Sequence, residues 1–258
     1  MNYGTQLSLS GVLTSLHKQD VATNNLANLN TTGFKTEIAM TRQRASVRIE
    51  DGLGSMPSDS LIERLGAGVM LAPTMTSHKQ GSVMPTGNDL DIAIEGDGFL
   101  VVRDASDASS DRVRLTRDGR LARGASGLLV QVATGLPVLD TTNRTISLGD
   151  GPVQIDDQGL VTQNGEERGR IALVDVPDRR ALHKSGDGLY VPDAASIAGR
   201  TSAAGRIRQR ALEASTVDEI DALTKVTSAA REVSANLGMI QYQDRFMDRA
   251  INVLGRVS

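Results

Sequence analysis

Apolar residues recur at helical spacing near the start of the chain. Between residues 3 and 29 they are separated by three or four positions, which places them on one face of a helix. The pattern ends where Asn28, Asn30 and Gly33 tolerate turn conformations. Within this helix, Gly11 either lowers stability by about 1 kcal/mol relative to alanine or lets another segment approach closely. The residues of this face are Leu9, Val12, Leu13, Leu16, Ala22, Leu26 and Leu29.

A stricter repeat runs through the end of the chain. Alternating steps of three and four residues from Leu223 meet an apolar residue at every position except Asp244, a 3.5-residue period that is typical of coiled coils. Thr216 and Glu219 predict a capping box at the start of this helix, and Gly255 predicts its end. The apolar residues of the repeat are Leu223, Val226, Ala230, Val233, Leu237, Ile240, Met247, Ile251 and Leu254. We call these residues, together with Leu9, Val12, Leu13, Leu16 and Leu26 of the N-terminal helix, the predicted seam.

The length of the C-terminal helix indicates that it has partners. From residue 216 to residue 254 it would extend about 58 Å at ~1.5 Å per residue, which exceeds the width of a compact domain. We therefore expect the N-terminal helix, other copies of the chain, or both to cover the seam. Asp244 either marks a kink or a wet end of the seam, pairs with Arg245 or Arg249, or makes a polar contact that sets the register.

The middle of the chain is patterned as short strands separated by turns. Residues 91–94 and 99–102 predict two strands around the turn Glu95-Gly96-Asp97-Gly98, and residues 112–121 predict a hairpin at Asp118-Gly119. Turn signals every 8 to 12 residues indicate an antiparallel β domain. Residues 36–67 show weaker patterning and are predicted to be a linker or an extended arm. Further strands are predicted at residues 128–132, 146–148, 153–155, 160–162 and 170–176.

Composition excludes several classes of function. The chain has 258 residues and no cysteine, so disulfides, thiolate metal sites and cysteine nucleophiles are excluded. Its 28 basic and 31 acidic residues give a net charge of −3, and this balance does not favour nucleic acid or anionic lipid. No apolar stretch approaches the ~18 residues of a membrane span, and the N-terminus is not that of a Sec signal peptide.

The candidate chemical motifs favour structural interpretations. Gly96-Asp-Gly98 runs directly into a strand, so it is a turn and not a dinucleotide-binding loop. The acidic run at residues 104–111 lacks the central glycine and distal glutamate of a calcium loop. Asp89 and Asp91 are a possible carboxylate pair with no third catalytic group near them, and a turn role is favoured. We therefore predict no catalytic, cofactor-binding or metal-binding residue and no enzyme activity.

Two groups of arginines are interpreted as surface features. The group from Arg112 to Arg123 has no interleaved aromatic residues, and we expect it to lie on a hairpin that faces solvent or another subunit. Arg206, Arg208 and Arg210 alternate along a predicted strand, where they would meet acidic groups of a neighbour. The three histidines are predicted to have surface or packing roles.

Four segments resemble the bacterial flagellar rod and hook proteins, in the order found in that family. They are Asn24-Asn25-Leu26-Ala27-Asn28-Leu29-Asn30-Thr31-Thr32-Gly33-Phe34-Lys35, then Asp91-Ile92-Ala93-Ile94-Glu95-Gly96-Asp97-Gly98-Phe99, then Leu115-Thr116-Arg117-Asp118-Gly119, and Leu212-Glu213-Ala214-Ser215-Thr216-Val217. The chain length and Ser228-Ala229-Ala230-Arg231-Glu232 are more similar to the proximal rod proteins than to distal rod or hook members. The signature residues taken from this resemblance are Asn24, Asn25, Leu26, Ala27, Asn28, Asn30, Thr32, Gly33, Phe34, Gly96, Gly98, Phe99, Asp118 and Gly119.

The resemblance implies a structural subunit that assembles helically with other copies and with neighbouring rod proteins. The terminal helices of many copies would form an inner coiled-coil layer around the export channel, with the β domain facing outward. Export through the flagellar type III apparatus without a cleaved Sec signal, and a place in the rod that crosses the periplasm, are also implied. The signature asparagines, Gly33 and Phe34 would fix the exit from the first helix and anchor the chain on a neighbour.

The predicted fold is thus α+β, with long N- and C-terminal helices in a coiled-coil layer and an inserted antiparallel all-β domain. The predicted domains are residues 1–35 (helix), 36–84 (arm with some β), 85–205 (β domain) and 206–258 (helix). A distal rod or hook-type subunit is the alternative within the family. A self-contained coiled-coil dimer with a ligand-binding β domain is the alternative from another class.

Overall fold

A computed structural model of the chain describes residues 3–46, 49, 66–104 and 113–254. These residues form three named helices, α1 (Tyr3–Ala27), α2 (Ala194–Ala198) and α3 (Glu219–Leu254), and a 3₁₀ turn at Arg179–Ala181. The strands are β1 (Glu37–Gln43), β2 (Val69–Thr76), β3 (Val83–Pro85), β4 (Ile92–Glu95), β5 (Phe99–Arg103), β6 (Val113–Thr116), β7 (Leu121–Arg123), β8 (Leu129–Gln131), β9 (Val153–Ile155), β10 (Leu160–Gln163), β11 (Glu166–Arg170), β12 (Leu173–Asp175), β13 (His183–Lys184), β14 (Leu189–Val191), β15 (Thr201–Ser202), β16 (Arg206–Gln209) and β17 (Ala211–Glu213).

The chain divides into two compact units. Unit 1 comprises Met1–Ala27, Glu37–Met75 and Asp218–Ser258, and unit 2 comprises Asn28–Thr36 and Thr76–Val217. The architecture is a mixture of helices and antiparallel strands with a long helix near each end, as the α+β prediction requires. Within the described residues, no helix has the combination of length and apolar character needed to cross a bilayer.

In unit 1, α1 and α3 pack side by side in antiparallel directions. Gly4 of α1 lies against Gln243, Gly11 lies against Asn236, and Lys18 pairs with Glu232 at 3.1 Å, so advancing along α1 means moving back along α3. A Cβ atom at Gly11 would be 3.0 Å from the Asn236 amide. The glycine therefore permits a close helix contact, which is the second of the two roles predicted for it.

A two-stranded sheet completes unit 1. Strands β1 and β2 pair, and the bond from Arg44 N to Gly68 O, with the bridge between Ser46 and Gly66, shows that they are antiparallel. The side chain of Asn25 near the end of α1 accepts a bond from Glu37 N at 2.9 Å and donates to Glu37 O at 2.8 Å. One asparagine amide thus satisfies both backbone groups of the first residue of β1.

The start of α3 differs from the predicted capping box. Glu219 is the first helical residue, and the Asp218 carboxylate accepts a bond from Asp221 N at 2.9 Å, so Asp218 is the N-cap. The Thr216 hydroxyl instead accepts a bond from Thr36 N at 2.9 Å. The predicted box was wrong because tertiary contacts take the Thr216 hydroxyl away from the helix end. The predicted stop at Gly255 lies outside the described residues.

Unit 2 is built mainly from antiparallel strands. Its largest sheet has the order β13-β14-β6-β5-β12-β15, and β11-β10-β9 form a three-stranded meander. Unit 2 also contains the two-stranded pairs β16-β4, β17-β3 and β7-β8. Strand β5 is buried on both faces, since Leu100 and Val102 join one hydrophobic cluster while Phe99 and Val101 join another. This explains why residues 99–102 are continuously apolar and do not alternate.

Several strand predictions are confirmed and several pairings were wrong. Asn164-Gly165 forms the predicted tight turn, between β10 and β11, with φ angles of 54° and 81°. Strands β4 and β5 flank the predicted turn but do not pair: β4 pairs with β16, and β5 pairs with β6 and β12. Likewise β6 and β7 belong to different sheets, so Asp118-Gly119 is not a hairpin turn. Residues 146–148 make only isolated bridges, and within the predicted strand 170–176 only Leu173–Asp175 forms β12, since Arg170 ends β11.

The described part of residues 36–84 contains β1, β2 and the first two residues of β3. Residues 47–48 and 50–65 of this arm lie outside the described residues, as do residues 105–112 with most of the acidic run and Arg112. The four predicted domain boundaries stay a prediction.

Candidate functional site

A buried group of charged side chains lies in unit 2 and joins residues far apart in sequence. The Glu213 carboxylate accepts bonds from Lys35 Nζ at 2.6 Å, from Gly81 N at 2.7 Å and from Arg117 Nη1 at 3.2 Å. The side chains of Lys35 and Glu213 are 0% exposed and that of Arg117 is 2% exposed. Such buried charges are tolerated only when they are paired and hydrogen-bonded, as they are here.

Arg117 extends this group to the turn after β4. Its Nη2 donates to Gly96 O at 2.9 Å, and its guanidinium lies 5.3 Å from the centroid of the Phe99 ring. The planar guanidinium can bind a carboxylate and a carbonyl while stacking on an aromatic ring, which a lysine ammonium cannot do equally well.

Backbone bonds hold the same segments together. Gly33 N donates to Glu213 O at 2.8 Å, and Thr216 N donates to Phe34 O at 3.1 Å. Gly33 has φ +67°, and a Cβ atom there would be 2.5 Å from the carbonyl of Arg117. This position therefore requires glycine for both its conformation and its space.

All four signature segments meet at this point. Lys35 and Gly33 come from the first segment, Gly96 and Phe99 from the second, Arg117 from the third and Glu213 from the fourth. We call this contact set the motif junction; its members are Gly33, Phe34, Lys35, Gly96, Phe99, Arg117, Glu213 and Thr216.

Other signature residues support the same region through backbone geometry. Gly119 packs so closely on the carbonyl of Ile92 that a Cβ atom would overlap it. Asp118 is buried, and its Oδ1 accepts a bond from Arg120 N at 3.1 Å. Gly98 adopts φ +136°. Asn28 forms a turn with Thr31, whose hydroxyl donates to Asn28 Oδ1 at 3.0 Å. Asn24, Ala27 and Asn30 are exposed, and Leu26 and Thr32 are half-buried.

Burial sets the electrostatics of the junction. It lowers the pKa of Lys35 below the usual value, although the adjacent Glu213 carboxylate opposes this change. His78 packs 5.7 Å from the Phe99 ring centroid and 5.8 Å from that of Tyr190. Burial, supported by the charges of Arg179, Lys35 and Arg117, lowers the pKa of His78 to about 4.

The comparisons with known proteins point to one family. The family model described as flagella basal body rod protein matches residues 8–35. The chain is 32% identical to the flagellar basal-body rod protein FlgF of Caulobacter vibrioides, over the full length of both. The chain therefore belongs to the flagellar basal-body rod protein family.

Other relatives of this rod protein bear related names. It is 29% identical to the flagellar basal-body rod protein FlgG of Bacillus subtilis, over 95% of the chain and 96% of that protein. It is also 32% identical to the flagellar hook protein FlgE of Treponema pallidum, over 50% of the chain and 27% of that protein. The family match at residues 8–35 covers most of α1 and ends at Lys35, the lysine of the motif junction.

A second candidate site of the rod protein is the surface of unit 1. Among the described residues, all exposed large apolar side chains except Met84 and Val132 lie in this unit. Those on the helices include seven residues of the predicted seam, with Ile220, Met239, Tyr242 and Phe246 beside them. The exposed seam residues are Leu9, Leu13, Leu16, Leu223, Leu237, Met247 and Ile251.

The contact between α1 and α3 uses a neighbouring stripe of α3. This inner stripe shares Val226, Val233 and Ile240 with the predicted seam, and its other members lie one position before Leu223, Ala230, Leu237 and Asp244 of the 3.5-residue repeat. On α1 most of the buried positions are small or polar, including Ser8, Ser15 and Ala22, and Val21 is the exception besides Val12. Val12 is buried, Ala230 is half-buried, and the side chain of Leu254 lies outside the described residues. The inner stripe consists of Ala222, Val226, Ala229, Val233, Asn236, Ile240 and Gln243.

The interpretation of each arginine group needs correction in part, since Arg120 and Arg123 of the first group do have side chains that are 40% and 43% exposed. Arg117 is buried in the motif junction and does not face solvent or a subunit. Arg208 and Arg210 pair with Glu95 at 3.1 Å and Asp89 at 2.7 Å, acidic groups of the same chain. The Asp89 carboxylate is thus an ion-pair partner, while Asn88 donates to Asp91 Oδ1 at 3.1 Å in a turn.

Sequence reasoning missed the pairing of Lys35 with Glu213 and the role of Arg117. A signal was present, since each of these charged residues lies inside one of the four signature segments. Charges of opposite sign within such signature segments are candidates for a buried pair, because a buried charge needs a partner. The sequence contains no indication, however, of which charge meets which.

Proposed function

We propose that this chain is a structural subunit of the flagellar basal-body rod and assembles with further copies and neighbouring rod proteins through unit 1. The concentration of exposed apolar side chains in this unit carries the proposal. A monomer seldom exposes so many large apolar side chains on one unit unless they form an interface. Each such side chain contributes about 1.5–3 kcal/mol when it becomes fully buried.

The arrangement of α1 and α3 supports a layered helical assembly. The inner stripe is covered by α1 within the molecule, while Leu223, Leu237 and Ile251 are exposed beside it. Other copies would cover this outer row and complete a coiled-coil layer around the export channel, with the β domain facing outward. A head-to-tail contact that does not close produces such an open helical array.

Aspartate in place of Leu237 tests the proposal. Leu237 is 45% exposed and lies outside the inner stripe, so Leu237→Asp should leave the α1–α3 contact intact while placing a charge in the subunit interface. We expect loss of rod assembly and of motility, with an unchanged circular dichroism spectrum of the purified chain. Gln241→Asp, at an exposed polar position of α3, is the matched control and should assemble.

One result of the Leu237→Asp experiment would contradict the proposal. Normal rods and motility with Leu237→Asp would overturn the role of this surface. Ile240→Asp should also block assembly, but its side chain is half-buried in the inner stripe, so it would disturb the α1–α3 contact as well. Leu237 is therefore the cleaner test.

We place the subunit in the proximal rod because of the similarity of residues 228–232 and the chain length to proximal rod proteins. A distal rod or hook-type subunit is the alternative, and the relatives include rod proteins named FlgF and FlgG and a hook protein. Immunogold electron microscopy of isolated basal bodies with a tagged chain distinguishes them. Label at the membrane end of the rod supports the proximal position, and label at the hook end contradicts it.

Export through the flagellar type III apparatus without a cleaved Sec signal is part of the proposal. A self-contained dimeric binding module remains the alternative from another class. A closed dimer that is independent of concentration and binds a ligand saturably through unit 2 would favour that alternative.

A further inference from the structure

The motif junction buries three charged side chains at positions that apolar side chains could fill. Replacing a buried ion pair by well-packed apolar side chains is often neutral or stabilising, so stability alone does not explain Lys35, Arg117 and Glu213. In some proteins, however, such buried and hydrogen-bonded charges fix a single geometry, because a displacement leaves a buried charge without its partner. The group therefore suits a role in positioning.

The segments that the junction holds are the connections to the terminal helices. Lys35 and Glu213 are 178 positions apart in the sequence. Residues 33–36 continue from α1 into β1, and residues 213–216 lead into α3. Thr36 N donates to the Thr216 hydroxyl, and Thr36 O accepts from Ser77 N at 2.8 Å, so a third connection, from β2, is also held there.

We propose that Lys35, Arg117 and Glu213 act as a clamp that holds these connections side by side on unit 2, and that rod assembly requires them to be held. The second part rests on the proposed function, because only an assembling subunit needs its terminal helices to start from a fixed point. Glu213 is the central positioning residue, since it accepts bonds from both cations and from Gly81 N. The clamp lies within unit 2 and can be tested in the unassembled chain.

Substitution of Glu213 should increase hydrogen exchange more than substitution of Lys35. Glu213→Gln leaves Lys35 and Arg117 buried with no carboxylate, whereas Lys35→Met leaves Glu213 paired with Arg117 and Gly81 N. Native-state hydrogen exchange of the purified full chain, resolved by segment, measures this. With Glu213→Gln we expect residues 28–36 and 213–217 to exchange at least ~10-fold faster, and with Lys35→Met a smaller increase.

A matched control separates the clamp from ordinary ion pairs of the same unit. Glu95→Gln removes an exposed carboxylate paired with Arg208 and should leave exchange of both segments unchanged. Strand β5 and the β9-β10-β11 meander should keep wild-type protection in Lys35→Met. Unchanged exchange at residues 28–36 and 213–217 in both clamp variants would overturn the proposal. If Glu213→Gln increases hydrogen exchange throughout unit 2, the exchange of residues 28–36 and 213–217 in Lys35→Met becomes the test of the clamp.

Motility of the Lys35→Met strain tests the second part. Faster exchange at the two segments together with reduced rod assembly supports the clamp. Faster exchange with wild-type assembly would show that holding the connections is not required, and would overturn it. A failure of the proposed function would be seen in a different experiment, because the Leu237→Asp variant would then form normal rods.

Discussion

His78 shows how one residue reports the environment of unit 2. Its ring lies beside Phe99 and Tyr190, where a neutral imidazole packs as an aromatic group. From sequence, surface and packing roles were both open for the histidines. His78 has a packing role, and the sequence contained no sign of its buried, cation-rich surroundings. These surroundings come from Arg179, Lys35 and Arg117, which follow His78 or precede it by many residues.

Unit 2 should lose stability in mildly acidic solution because of His78. The pKa falls from 6.5 to about 4 on folding, so the unfolded chain binds more protons between these two values. The free energy of unfolding should therefore be highest above pH 6.5 and fall as the pH drops toward 4, by on the order of 1–2 kcal/mol after allowance for partial exposure. Urea titrations followed at several pH values measure this.

His78→Phe keeps an aromatic ring at this position and should flatten the pH dependence between these limits. His183→Gln, which removes an exposed histidine of the same unit, should leave it unchanged. An equal slope in wild type and His78→Phe would show that other groups cause the acid sensitivity.

At the scale of elements, the beginning of α3 illustrates what local patterns can and cannot determine. The capping-box pattern of Thr216 and Glu219 correctly predicted that a helix begins here, and Glu219 and Asp221 in its first turn favour the positive end of the helix dipole. The residue that caps the helix was decided by a tertiary contact, because Thr36 N donates to the Thr216 hydroxyl. The observed N-cap, Asp218, therefore lies two residues after the predicted one, Thr216.

Asp218→Ala should destabilise α3 by about 1 kcal/mol, because the bond to Asp221 N is lost at the helix end. Asp218→Asn is the matched control, since asparagine is an equally good N-cap, and it should retain most of the stability. Thermal unfolding followed by far-UV circular dichroism measures both. If the two variants lose equal stability, the charge at residue 218 matters and its hydrogen bond does not.

At the scale of the whole molecule, the two units differ in how they bury apolar surface. Unit 2 contains two hydrophobic clusters with many side chains almost fully buried. Unit 1 pairs its helices through small and polar residues such as Gly11, Ser15 and Ala22, and leaves large side chains exposed. Its stability in the isolated chain should therefore be lower.

Hydrogen exchange on the purified, unassembled chain checks this difference. We expect α1 and α3 to exchange considerably faster than β5 and β10, because few apolar contacts oppose opening of the helices. Protection of α1 and α3 equal to that of the β strands would indicate that the helices already bury their apolar surface within one molecule or a closed oligomer. The self-contained binding module would then be favoured over the rod subunit.

The sequence by itself determined the elements whose signals are local. A 3.5-residue repeat specifies a long helix, Asn164-Gly165 specifies a tight turn, and the four signature segments indicate the family. The tertiary structure alone decided the pairings. Strands β4 and β5 join different sheets. The stripe of α3 that α1 covers keeps Val226, Val233 and Ile240 of the expected seam and is shifted by one position at its other residues.

The physical reason is that periodicity reports only which residues share a face. Which of two adjacent stripes of α3 packs on α1 depends on the residues that α1 presents, such as Gly11 against Asn236, and these lie more than 200 positions apart in the sequence. The same holds for the motif junction: Lys35, Arg117 and Glu213 are each visible as charges within a signature segment. Their meeting at one buried carboxylate depends on contacts across the whole chain, which local sequence does not specify.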